Sequence, residues 1–255
     1  MAWSATQYTK FEDERTRPVR DLIAGIPAVD AKAAVDIGCG PGNSTELLHA
    51  RFSDAIVSGV DNSPEMVAAA RKRLPTLDFE IADISTWATS PGQFDVILSN
   101  AALQWVPDHA TLFPALIGKL RIGGTLAVQV PDNADEPAHR LIREIAADGP
   151  WAGRFGAATR LHRNGALWYF GALRETATRV DIWRTTYFHV LHGGSGAVVE
   201  WFKGSALRPY LEALNESERG EFLARYESAI AAAYPAFADD TVLLPFPRLF
   251  IVVTR

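Results

Sequence analysis

The sequence predicts an α/β protein: a seven-stranded mixed sheet with helices on both faces and a helical cap built from late insertions. Three observations predict it. From Ala33 short β-branched runs alternate with helical stretches, the rhythm of βαβ units and a parallel sheet. A strand ending in Asp36 runs into Gly38-Cys39-Gly40-Pro41-Gly42 and then a helix. Two long β-branched and aromatic runs near the end of the chain add two strands to the five before them.

The strands and helices follow in order. AAVDI, AIVSGVD, DFEIAD and FDVILSN read as the first four strands, with NSTELLHARF and SPEMVAAARKRL as helices between them. Asn43 with Glu46 three residues on is a variant capping box, and Ser63-Pro64 places a capping hydroxyl before a first-turn proline. Asp108 can cap a helix running to Leu120, after which Gly123-Gly124 turns the chain into TLAVQV, a fifth strand ending at Pro131. Asp132 to Ala147 reads as a helix, Gly149 to Gly171 is rich in glycine and aromatics, and Arg179 to Leu191 and Phe246 to Thr254 are the late strands. No repeat or flexible linker divides the chain, so one domain is expected over residues 1–255. Within it we expect an N-terminal lid helix in 1–30, a cofactor core in 31–131, and helical insertions in 132–178 and 192–245 over the substrate site.

Composition narrows the function. The formal charge of -5 disfavours a broad nucleic-acid surface, which needs clustered Lys and Arg. Membrane spanning lacks support because no apolar run approaches about 18 residues, and Met1 to Arg15 has no secretory pattern. A cytoplasmic protein with no obligate protein partner is the expectation. The single Cys39 sits between two glycines, where a small side chain is wanted, and reads as structural. The six histidines show no metal spacing, and no G-x-S-x-G, H-E-x-x-H or phosphate-loop motif is present. No metal is expected.

Glycines after a strand bring bare backbone close to a ligand. In the dinucleotide fingerprint G-x-G-x-x-G the last glycine would fall on Asn43, whereas here it comes one residue early, at Gly42. An acidic Asp36 two residues before G-x-G-x-G resembles the loop of S-adenosylmethionine-dependent methyltransferases that passes beneath the methionine part of the cofactor. Asp61 ends the next strand, where dinucleotide and adenosyl sites alike need a carboxylate for the ribose diol, with Asn62 beside it. Asp83 after the third strand can accept the adenine amino group while Ile84 packs on the ring; an isolated strand-end aspartate is otherwise a turn or cap residue. Asn100, at the end of the fourth strand, is the contact expected for the methionine end. Trp105 has two readings, core packing or a wall of the transfer cavity.

Further segments extend the likeness beyond the cofactor half. Arg15-Thr16-Arg17-Pro18, Leu103 to His109 (LQWVPDH), Val130 to Asn133 (VPDN), Asp181 to Tyr187 (DIWRTTY), Leu207 to Tyr210 (LRPY) and Pro245 to Val252 (PFPRLFIV) together resemble the bacterial trans-aconitate 2-methyltransferases, a family of Rossmann-like class I methyltransferases. The likeness runs nearly end to end and fails only around Gly149 to Gly171. It implies S-adenosyl-L-methionine as cofactor, S-adenosyl-L-homocysteine as product, and a monomethyl ester formed on one carboxylate of a small tricarboxylate. A carboxylate is ionised at neutral pH, its ordinary pKa being about 4, so no catalytic base is expected.

An acidic protein that takes up a tricarboxylate needs local cations. Of the basic residues 20 are Arg and 5 Lys, a ratio codon bias can produce, so individual arginines are argued by position. Arg184, Arg208 and Arg248 lie in the family-like segments, and Arg17 can hold substrate or cofactor carboxylate from the lid; a surface ion pair is the alternative for each. Three alternatives stay open: a methyltransferase for another small acid or metabolite, a non-catalytic S-adenosylmethionine-binding module, and a nicotinamide-dependent oxidoreductase.

Overall fold

A computed structural model describes residues 12–27, 30–155 and 164–255. Its first half runs α1 (Glu12–Ala24), β1 (Ala33–Ile37), α2 (Asn43–Arg51), β2 (Ile56–Asp61), α3 (Pro64–Arg73), β3 (Asp78–Ile81), α4 (Ile84–Thr89), β4 (Phe94–Asn100), α5 (His109–Gly118) and β5 (Leu120–Pro131), with a 3₁₀ turn at Leu103–Trp105. Then follow α6 (Pro137–Ala147), α7 (Ala166–Leu173), β6 (Arg179–His192), α8 (Gly194–Lys203), α9 (Arg208–Glu212), α10 (Glu216–Ala233) and β7 (Thr241–Thr254). The seven strands form one sheet in the order β3-β2-β1-β4-β5-β7-β6. β1 to β5 pair in parallel, and β7 is antiparallel to β5, so the sheet is mixed as expected. The strand order switches sides between β1 and β4, and in open α/β sheets ligands bind at the carboxyl ends of the strands at such a switch point.

Local chemistry explains the helix starts, with one correction. Ser63 caps α3, its hydroxyl accepting from Met66 N at 3.3 Å, and Asp108 caps α5 by accepting from Thr111 N at 3.3 Å. Asn43, expected as a cap, is instead the first residue of α2; the cap position belongs to Gly42, whose φ of 91° is left-handed and natural only to glycine. Glu46 is drawn to Arg73 at 2.8 Å rather than back to the helix start.

Two strands begin earlier than expected. β5 begins at Leu120, ahead of the expected TLAVQV, because Gly123 N donates to Arg255 O and Arg255 N to Gly124 O, both at 3.0 Å, tying the glycines to the end of β7. β7 likewise begins at Thr241 rather than Phe246, in spite of two prolines. The helix expected from Asp132 starts at Pro137.

The chain divides into two compact units. The first comprises Met1–Pro131, Asn164–Thr185 and Arg248–Arg255; the second, Asp132–Arg163 and Thr186–Pro247. The expected insertion 132–178 is therefore split: α7 belongs to the first unit, where Tyr169 and Leu173 are buried with Phe113, Leu116 and Ile117. The second unit has its own core around Phe222, Tyr226 and Ile230 of α10. There Tyr226 Oη donates to Ala138 O and Ala138 N donates to Tyr234 Oη, each at 3.0 Å, clamping the start of α6. Of the expected lid segment 1–30, α1 lies in the described residues and 1–11 and 28–29 lie outside them. α1 buries Val19, Leu22 and Ile23 and packs on α2 and β5. No helix among the described residues is long and apolar enough to cross a membrane.

Candidate active site

The glycine loop joins β1 to α2, and each glycine answers a different demand. A Cβ on Gly38 would lie 2.2 Å from that of Ala102, so the loop and the segment after β4 touch through bare backbone. A Cβ on Gly40 would meet nothing within 4 Å although φ is +54°, so the space over Gly40 is open. Gly42 starts the helix. Beneath the loop Asp36 is fully buried, and its Oδ2 accepts from Ser44 Oγ at 2.6 Å and Thr45 Oγ1 at 2.7 Å. Burial pushes its carboxyl up to about 6, against the pull of those two hydroxyls, with a smaller push from Asp61. Asp36 thus staples β1 to the first turn of α2 across the loop. Burial also pushes the Cys39 thiol far up, which keeps it unreactive, in line with a structural role.

Asp61 grips the loop from the other side: Oδ2 accepts from Gly40 N and Oδ1 from Ser63 N, both at 2.9 Å. A carboxylate has about four acceptor positions, so two such bonds leave room for a ligand. Asn62 beside it is exposed. Asp83 is a helix cap, its Oδ1 accepting from Ser85 N at 2.9 Å and Thr86 N at 3.3 Å, and Ile84 is buried behind it. The cap reading weighed for Asp83 is what the structure shows, and its Oδ2 is not used in the cap.

At the end of β4, Ser99 Oγ donates to Ile37 O at 3.0 Å and fixes β4 against β1. Asn100 is half-buried, and its Oδ1 has no hydrogen-bond partner among the described residues. Ala101 then takes a left-handed φ of 52°, uncommon for a residue with a Cβ, while its N–H donates to Gln129 O at 2.8 Å. Trp105 is 59% exposed, which removes the core-packing reading. His109, not singled out by the sequence, holds this turn: Nε2 donates to Leu103 O at 2.8 Å, so in the neutral ring Nδ1 accepts from Tyr169 Oη at 2.7 Å.

The four arginines separate. Arg248 is only 7% exposed, and its Nη1 donates to Gln129 Oε1 at 3.1 Å. On β7 it shares the face of Phe250, which stacks on Trp183 at 4.8 Å, whereas Leu249 and Ile251 turn to the first core. On β6 Val180 and Ile182 pack on that core, so Arg184, in phase with them, lies on the opposite face from Arg248 and is exposed. Arg184 and Arg248, both candidate substrate contacts, therefore do not share a face of the sheet. Arg17 is exposed on α1, and α1 covers the Arg248 face, since a Cβ on Gly25 just past its end would lie 2.6 Å from Trp183. Arg208 lies in the second unit, where its Nε donates to Glu212 at 2.6 Å, the helix-surface ion pair weighed against a clamp role. No cluster of three or more metal-ligating side chains occurs among the described residues.

Residues 34–124 match the methyltransferase domain family. Among solved structures, the YcgJ protein from Bacillus subtilis aligns with a TM-score of 0.61 and 12% identity over 94% of this chain and 98% of its own. Phosphoethanolamine N-methyltransferase 2 from Haemonchus contortus, crystallised with phosphomonomethylethanolamine and S-adenosylhomocysteine, aligns with a TM-score of 0.55 and 15% identity over 95% of this chain and 52% of its own. These show the fold. The residues present fit S-adenosylmethionine: Asp61, Asp83 and Asn100 offer acceptor oxygens at the ends of β2, β3 and β4, and Asp61 accepts from Gly40 N beside the open space there. The trans-aconitate 2-methyltransferase of Methylobacterium nodulans is 51% identical over 99% of this chain and 98% of its own length, and that of Rhizobium meliloti 50% identical over 100% and 99%. On this full-length identity, the chain belongs to the trans-aconitate 2-methyltransferase family of S-adenosylmethionine-dependent methyltransferases.

Proposed function

We propose that the protein esterifies one carboxylate of trans-aconitate, with S-adenosylhomocysteine as the second product. The observation that carries this reading is the half-identity to trans-aconitate 2-methyltransferases along the whole chain, including the late strands outside the shared methyltransferase core. When bound, S-adenosylmethionine supplies an electrophilic methyl on a sulfonium, which a carboxylate oxygen can take without giving up a proton. The protein's work is then alignment and exclusion of water.

The loop Gly38, Gly40 and Gly42, with Asp61, Asn62, Asp83, Ile84 and Asn100, would hold the donor. Asp36 supports the loop from below through Ser44 and Thr45 rather than by reaching the cofactor. Arg248 is the first candidate for the acid: a buried guanidinium is the group best suited to pair with a carboxylate. Arg17, on the helix over that face, and Trp105 are candidates for closing the site, and Arg184 and Arg208 are the outer candidates. His109 has both ring nitrogens engaged in holding the turn after β4. A reduced, buried Cys39 suits a cytoplasmic setting.

Initial rates with methyl-labelled donor and a panel of di- and tricarboxylates test the reading. Trans-aconitate is expected to show the highest kcat/KM, and Arg248→Ala to raise its KM at least about tenfold, since truncating one partner of a buried charge pair costs about 2–5 kcal/mol. Preference for another acid would overturn the named substrate. Unchanged kinetics in Ala variants of all four arginines would reject the clamp.

A further inference from the structure

Between β4 and α5 the chain turns through residues 101–108, and the turn is bracketed by two residues in left-handed backbone, Ala101 at a φ of 52° and Asp108 at 54°. Backbone of this kind is uncommon for residues with a Cβ and persists where the surroundings over-determine it. Side chains do so here. Gln104 Nε2 donates to Ala101 O at 2.6 Å, Asp108 Oδ2 accepts from Thr111 Oγ1 at 2.7 Å, and the His109 ring reaches back across the turn to Leu103 O at 2.8 Å. A carbonyl oxygen only accepts, so the last bond exists only while the His109 ring proton sits on Nε2. Neutral imidazole can carry its proton on either nitrogen, and the partner of one nitrogen decides what the other carries. The partner of Nδ1 is Tyr169 Oη, at 2.7 Å. Tyr169 comes from α7, is buried, and packs its ring on His109 and Phe113 with centroids 5.8 and 5.1 Å apart, so its hydroxyl is held against the imidazole.

We infer that Tyr169 is a positioning residue for the methyl transfer: its hydroxyl donates to His109 Nδ1, keeps the ring proton on Nε2, and thereby holds the turn between β4 and α5 in the shape that the reaction uses. The inference rests on the proposed function. The turn matters to the chemistry through what it carries. It leaves β4 directly after Asn100, and it brings Ala102 against Gly38 of the cofactor loop, where a glycine Cβ would lie 2.2 Å away. It also puts Trp105 at its surface, 59% exposed. A candidate donor contact, the glycine loop and a candidate wall of the site are therefore tied to one stretch of backbone. With phenylalanine at position 169 no hydroxyl donates to Nδ1, and the ring proton is free to move there. Nε2 would then turn a lone pair on Leu103 O, and the bond that closes the turn is lost. A turn shifted in this way misaligns donor and acceptor, and alignment is most of what the protein contributes to a transfer that needs no base.

The test compares full-length wild type with Tyr169→Phe, His109→Gln and the double variant. It measures melting temperature, calorimetric Kd for S-adenosylhomocysteine, kcat with whichever acid of the carboxylate panel turns over fastest, and the nitrogen-15 shifts of the His109 ring, which tell a protonated nitrogen from a bare one. The spectra are taken at about pH 8.5, above the ordinary imidazole pKa of about 6.5. Wild type is expected to carry the proton on Nε2. Tyr169→Phe is expected to populate the form protonated on Nδ1 and to lose roughly tenfold in kcat, with the S-adenosylhomocysteine Kd kept within about twofold. His109→Gln sets an amide donor near the place of Nε2 with no tautomer to choose, so adding Tyr169→Phe to it is expected to cost less than about twofold in kcat. A Tyr169→Phe variant that melts lower yet keeps its kcat and its Nε2 proton would reduce Tyr169 to core packing and overturn the inference. Equal losses of kcat from Tyr169→Phe with and without His109→Gln would overturn it as well. If His109→Gln does not fold, the ring shifts and kcat of Tyr169→Phe decide alone. Failure of the proposed function is seen separately, as a wild type that turns over no acid of the panel, and takes the inference with it; failure of the inference alone leaves the wild-type rate intact.

Discussion

Asp36 shows how one buried carboxyl joins stability to the cofactor loop. In the folded chain its proton is held up to about pH 6, mainly by burial, whereas in the unfolded chain it leaves near pH 4. Between those values the native state binds more protons than the unfolded one, so stability falls as pH rises. The contribution is complete below about pH 4, lost through about pH 6 and flat above, on the order of 3 kcal/mol in all. Asp36→Asn abolishes it. Urea unfolding at pH 4.5 and pH 7 should therefore show wild type gaining on the variant as the pH drops; parallel curves would show that Asp36 does not titrate in this way. The sequence marked Asp36 as a cofactor residue because it stands two places before the first glycine. It could not show that Ser44 and Thr45, eight and nine residues on, take up the carboxylate, since that depends on how the loop folds back.

At the scale of the element, the glycine loop divides into a packed half and an open half. An alanine at either Gly38 or Gly40 suffers left-handed strain of roughly 1–2 kcal/mol. Gly38→Ala must also displace Ala102 from 2.2 Å, whereas Gly40→Ala projects into open space. We therefore expect Gly38→Ala to lose several degrees of Tm, and Gly40→Ala to remain the more stable of the two while losing at least about tenfold in S-adenosylhomocysteine affinity. Equal losses of Tm, or full affinity in Gly40→Ala, would remove the open face as the donor's seat. The βαβ alternation, the caps at Ser63 and Asp108 and the early third glycine were all legible because they are local patterns. Gln129 and His109 were not. The signal for Gln129 was a polar residue inside TLAVQV, yet its meaning comes from Arg248, 119 residues away. The phase of β6 against β7, which parts Arg184 from Arg248, is equally a property of strand pairing.

For the molecule as a whole, the seven-stranded sheet and its mixed character followed from counting strands, because each strand carries its own apolar pattern. The division into two compact units did not follow, because the cut passes through β6 and β7, continuous strands that carry no linker signature. In the proposed reaction a carboxylate oxygen receives the methyl group and no residue has to remove a proton first. Carbon-13 NMR of the product made from methyl-13C-labelled donor and trans-aconitate measures this most directly. One labelled methyl resonance with the shift of an ester is expected, converting to labelled methanol on mild alkaline hydrolysis. A labelled methyl bonded to carbon, or no label in the acid at all, would contradict it.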